Sequence, residues 1–168
     1  MKQINTVDEL EQYFLENNSL ITAVNNTTER LLVKLNEIIE ETVYSYKPTW
    51  DGRTGQFKKS WEREGAKIVG GMINREVTSK IYQNFDTMVY DGNKWKHGNP
   101  WESLVKNQLN NIIEYGLPES HFNFPAIEER PFWSKFLEYV NKNLDKIFQE
   151  ECAKVGLDIK PTISSYTG

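Results

Sequence analysis

The amino-acid sequence predicts an α+β fold in a single domain of 168 residues. Apolar residues recur at helical spacing early in the chain, again before Gly116 and once more after Pro131. Short β-prone runs punctuated by glycine fill the middle. No repeat, low-complexity tract or linker divides the chain, and its length suffices to bury about 70% of the unfolded surface. The expected arrangement is N-terminal helices, a short antiparallel β meander, an inserted helix, and a long C-terminal helix packed on the sheet.

The first element opens at Thr6-Val7-Asp8-Glu9, where Thr6 and Glu9 form a capping box. A short helix should follow with Leu10, Phe14 and Leu15 on its apolar face, ending near Asn17-Asn18. Leu20 to Val24 reads equally as strand or helix. From Thr27 or Thr28 a longer helix is expected, with Leu31, Leu35, Ile38 and Thr42 in one row and Leu32, Ile39, Val43 and Tyr46 beside it, until Pro48 ends it. The β-prone pieces lie around Trp61, at Ile68-Val69, from Met72 to Thr78 and from Ile81 to Tyr90.

Asp91-Gly92-Asn93 reads as a turn leading into a polar loop. A second helix follows, with Asn99 as cap, Pro100 at its first position, Leu104, Val105, Leu109, Ile112 and Ile113 on its face, and Gly116 as stop. Leu117 to Glu129 is a Pro- and aromatic-rich loop. Pro131 opens the last helix, whose Phe136, Val140, Leu144 and Ile147 row should pack against the long helix and the sheet. Cys152 and Val155 continue its apolar face until Gly156 stops it, and residues 157–168 form an exposed tail.

Composition narrows the function. With 24 acidic against 20 basic residues the net charge is −4, which argues against a binder held by phosphate neutralisation. Aromatics make up 12% of the chain, many in polar stretches such as Lys94-Trp95-Lys96-His97. Such residues either make protein contacts or fill an irregular core. The lone Cys152 allows no internal disulfide. No apolar run approaches the ~20 residues of a membrane span, and the first residues lack a signal peptide's apolar stretch, so a cytoplasmic chain is expected.

The templates of catalysis do not fit. His97 and His121, both expected in loops, have no carboxylate or cysteine at ligand spacing. Gly70-Gly71 does not begin a phosphate-binding loop. Cys152 falls on an apolar helix face, where a small buried hydrophobe is expected. Adjacent acids such as Glu40-Glu41, Glu128-Glu129 and Glu150-Glu151 point apart on a helix and make no acid–base pair by themselves. The expectation is no enzyme, no cofactor and no metal.

One segment stands out, the run from Pro48 to Trp61. In it Thr54-Gly55 supplies a hydroxyl and a residue free to take positive φ, so the chain can turn sharply. Phe57 and Trp61, four apart, share a face if the segment is a short helix and alternate inward if it is a strand. Arg53, Lys58 and Lys59 form a small basic cluster. The candidate turn and interface therefore comprises Arg53, Thr54, Gly55, Phe57, Lys58, Lys59, Ser60 and Trp61.

The order of landmarks resembles the head–tail joining, or tail-completion, proteins of long-tailed bacteriophages and phage-like particles. The likeness rests on a long helix, then Thr54-Gly55-x-Phe57-x-x-Ser60, then Ile81 to Asp86 as a Tyr-bearing strand, then Arg130-Pro131-Phe132 opening the last helix. It departs from that family between strand and helix, where the stretch from Thr87 to Glu129 takes the place of a short loop. The resemblance implies a structural virion protein of the neck, assembled in the bacterial cytoplasm into a homo-oligomeric ring. Its implied neighbours are connector, tail terminator or tail tube proteins, with no membrane and no sequence-specific nucleic acid. The alternative from the residues alone is a non-enzymatic cytoplasmic protein-interaction domain, and a small hydrolase using scattered carboxylates ranks third.

Overall fold

The computed structural model describes residues 5–45, 55–69, 72–79, 88–90, 95–97, 110–116 and 128–159, and it is a mixed helix-and-strand fold as expected. The chain forms two compact units. One comprises residues 1–34, 63–78 and 137–168; the other comprises 35–62 and 79–136.

In the first unit, helix α1 (Val7–Glu16) starts as its capping box dictates: Glu9 N donates to Thr6 Oγ1 at 3.2 Å. The returning carboxylate reaches one residue further back than the usual box, accepting from Asn5 N at 2.8 Å. Phe14 is half-buried, whereas Leu15, expected on the apolar face, is 65% exposed.

Helix α2 (Asn18–Ile39) begins well before the expected Thr27 or Thr28, and it settles Leu20 to Val24 as helix. Asn17 is why the two helices abut, for its backbone ends α1 and its Oδ1 accepts from Leu20 N at 3.3 Å. Thr27 and Thr28 are interior, and their hydroxyls donate backwards to Ala23 O and Val24 O at 2.8 and 2.9 Å. A threonine that bonds four residues back needs no cap position, which is why the sequence reading misplaced the start.

Four short strands follow: β1 (Trp61–Arg63), β2 (Lys67–Val69), β3 (Met72–Asn74) and β4 (Val77–Ser79). They are not a meander. β2 pairs antiparallel with β3, while β1 pairs with β4 outside them, so the four are two arms of one ribbon. Glu64 N donates to Glu76 O at 2.9 Å and Lys67 lies opposite Asn74, so Gly65 and Ala66 face Arg75 alone. That extra residue is a bulge, and it splits the expected Met72 to Thr78 run into two strands.

Helix α5 (Phe132–Lys154), which follows α3 (Gln56–Lys59) and α4 (110–115) in the chain, ends in the first unit. Gly156 takes φ 78°, with Leu157 N donating to Cys152 O at 2.9 Å and Gly156 N to Ala153 O at 3.1 Å. This paired closure is a Schellman motif, and only glycine adopts its left-handed position without strain. Val140, Ile147 and Cys152 are buried, but Leu144, expected in the same core row, is only half-buried. Lys34 Nζ lies 5.5 Å from the Tyr139 ring centroid, which sets α2 beside α5.

In the second unit, Leu35, Ile38 and Ile39 are buried at the end of α2, and one π-helical turn (Glu40–Tyr44) adds Val43. Helix α3 (Gln56–Lys59) follows Gly55 and leads into β1. β5 (Met88–Tyr90) pairs antiparallel with β6 (Trp95–His97), so His97 sits in a strand rather than the expected loop. Residues 110–115 are helical (α4), and Gly116 follows at φ 73° as the expected stop. Tyr46, Pro48, Ile81 to Asp86, the Asp91-Gly92-Asn93 turn, Asn99 to Leu109, His121 and the tail from 160 lie outside the described residues.

Candidate functional site

The candidate corner is built where α3 meets β1. Gly55 takes φ 70°, a left-handed conformation in which the added Cβ of any other residue would meet no atom within 4 Å. Glycine is therefore needed there for backbone freedom alone, not for space. α3 then closes on Ser60, whose Oγ donates to Phe57 O at 2.7 Å and lies 3.3 Å from Ser79 Oγ.

Phe57 and Trp61 fall on one face because the segment is helical up to the strand, and their rings meet edge-on at 6.1 Å. The start of α5 comes to the same place. Phe132 packs edge-on against Phe57 at 5.2 Å, and Trp133 stacks on Trp61 at 5.4 Å and 16°. Phe136 extends the cluster, 5.3 Å from Trp133. Each such ring pair adds about 0.5–1.5 kcal/mol beyond the area it removes from water.

Burial corrects the interface expectation for part of the segment. Phe57, Ser60 and Trp61 are buried, so they hold the corner and do not present an aromatic surface. The surviving rim is basic. Lys59 is exposed, and Lys58 Nζ pairs with Glu40 Oε2 at 2.9 Å, both side chains substantially in solvent. Arg53 and Thr54 lie outside the described residues. At the family-like helix start, Arg130 N donates to Ile113 O at 2.8 Å, Pro131 occupies the position before the helix, and Phe132 is 1% exposed.

Glu114 is a site residue that pattern reading missed. It is 4% exposed, and its carboxylate accepts from Trp133 N at 2.7 Å, Ser134 N at 2.9 Å and Ser134 Oγ. A carboxylate on another helix thus caps α5, satisfying orphan amides at the positive end of the helix dipole. The only sequence signal is one acid beside Ile112 and Ile113, which says nothing about the amides it serves.

Among the described residues no group of three or more His, Cys, Asp or Glu could hold a metal ion, and no helix is long and apolar enough to cross a membrane. Cys152 is fully buried, and that burial pushes its thiol above the usual range, away from thiolate chemistry. No protein-family model, curated protein or solved structure matches this chain.

Proposed function

We propose that this chain is a structural protein of the phage neck, resembling head–tail joining and tail-completion proteins, and that it forms or joins a ring between connector and tail. The supporting observation is that two of the segments carrying the resemblance are halves of one corner. Phe57 and Trp61 of the first interlock with Phe132 and Trp133 of the second. A closed ring repeats one heterologous contact around its axis, so each subunit must hold its two patches at a constant angle. A corner locked by packed aromatics, capped by Glu114 and turned at Gly55, supplies that rigidity, and Lys58 and Lys59 rim it.

The test is sedimentation and negative-stain imaging of the purified protein, alone and with the connector and tail proteins encoded beside it. Closed rings, or incorporation into a ring, are expected. A chain that stays monomeric with every neck partner overturns the reading in favour of an ordinary protein-interaction domain.

A further inference from the structure

The β1–β4 ribbon carries an arginine whose charge the fold does not answer. Glu64 faces Glu76 across the ribbon, so Arg63 and Arg75 are diagonal neighbours on one face. Arg63 is served, its Nη1 lying 2.6 Å from Glu29 Oε2. Arg75 is not. It is half-buried, its Nε is shut off from solvent without a hydrogen-bond partner, and no described residue pairs with its guanidinium. Burial, then the neighbouring charge of Arg63, push its pKa down, and Glu29 offsets this only in part. Two guanidiniums thus share one carboxylate at a place already half stripped of water, where an added anion is weakly screened.

The same chain offers the complementary patch. Four adjacent acid pairs fall among the described residues. Glu9 is engaged by Asn5 N, Glu40 by Lys58, and both Glu150 and Glu151 by Arg30. Glu128 and Glu129 alone are both exposed with neither carboxylate in a hydrogen bond or ion pair to a described residue, and they offer the negative charge that Arg75 lacks.

We propose that Arg63 and Arg75 form a carboxylate-binding site that receives the Glu128–Glu129 pair of a second copy of this chain. The contact is heterologous, as a ring needs, and it rests on the reading above that copies meet head to tail.

Sedimentation equilibrium of the full chain at low salt, with two variants, tests it. Arg63→Gln with Arg75→Gln, and separately Glu128→Gln with Glu129→Gln, should each weaken self-association about tenfold or more. Both acids are exposed, so the second variant probes the contact without touching the core. Mixing the two variants should give a one-to-one pair and nothing larger, because each retains the half that the other lacks. Unchanged association in either variant, or a mixture that forms no pair, overturns this contact. Rings that persist in both variants do so while leaving the neck reading standing. A wild-type chain that is monomeric at every concentration also overturns the contact, and ring formation with purified neck partners then decides the neck reading separately.

Discussion

The two ends of α5 bury a large side chain by opposite means. At its start Phe132 packs against the rings of Phe57, Trp61 and Trp133, and Glu114 caps the helix. At its end Glu151 is 2% exposed yet charged, held by Lys154 Nζ at 2.6 Å and Arg30 Nη1 at 3.0 Å. Apolar burial at the first end stabilises in proportion to area and is indifferent to pH. At the second, the pairing mainly offsets the desolvation of the carboxylate. The two ends should therefore fail under different insults.

Truncation should break the first end hardest. Phe132→Ala is expected to cost about 3–5 kcal/mol, the usual sum of lost transfer energy and residual cavity for a buried phenylalanine. Denaturant melts read this directly, and a loss below ~1 kcal/mol would mean that the corner collapses around the gap. Glu114→Ala should cost about 2 kcal/mol, because it strips a buried cap from two backbone amides. Glu114→Gln, which keeps one acceptor oxygen, should recover part of that loss in the same melts.

Acid should break the second end first. The pairing with Lys154 and Arg30 holds the Glu151 carboxyl below the usual carboxylate range, and Arg30 does the same to Glu150. Groups whose folded values are depressed contribute their full stabilisation above the ordinary glutamate value of about 4.3, and lose it as pH falls through the folded value. The wild type should therefore destabilise progressively below about pH 4.3. Glu151→Gln, costing about 1 kcal/mol at neutral pH, should flatten that part of the profile. Parallel pH profiles for the two proteins would remove Glu151 from the acid response.

The same contrast governs what the sequence made legible. Apolar periodicity exposed α5, its core positions Phe136, Val140 and Ile147, and its stop at Gly156, because those signals are local and repeat along one helix. It overstated Leu144, since a helical stripe is wider than the surface its neighbours cover. Thr27 and Thr28 read as a helix start although their hydroxyls bond backwards inside α2. The nesting of β2–β3 within β1–β4 and the reach of Glu114 to α5 join residues distant in sequence, and no local pattern encodes such partners. At the corner, the turn at Gly55 was legible from its chemistry, whereas the inward facing of Phe57 and Trp61 depended on Phe132 and Trp133 arriving from elsewhere.

Lys58 and Lys59 sharpen the comparison from its weakest side, since they belong to the aromatic corner by position and to the charged class by chemistry. The Lys58–Glu40 pair is solvated on both sides, 41% and 59% exposed, and such pairs contribute about 0–1 kcal/mol. Lys59 is exposed. Lys58→Glu with Lys59→Glu should therefore move the melting temperature by no more than about 2 °C, since the corner beneath them stands on Phe57 and Trp61. If the rim serves assembly, the same double variant should weaken particle formation, more strongly at low salt where unscreened charge acts further. Normal particle yields from a stable double variant would restrict the corner to a structural role. A large drop in melting temperature would instead show that the rim charges help to hold the aromatic cluster, and the two classes of interaction would no longer be separable at this end of the helix.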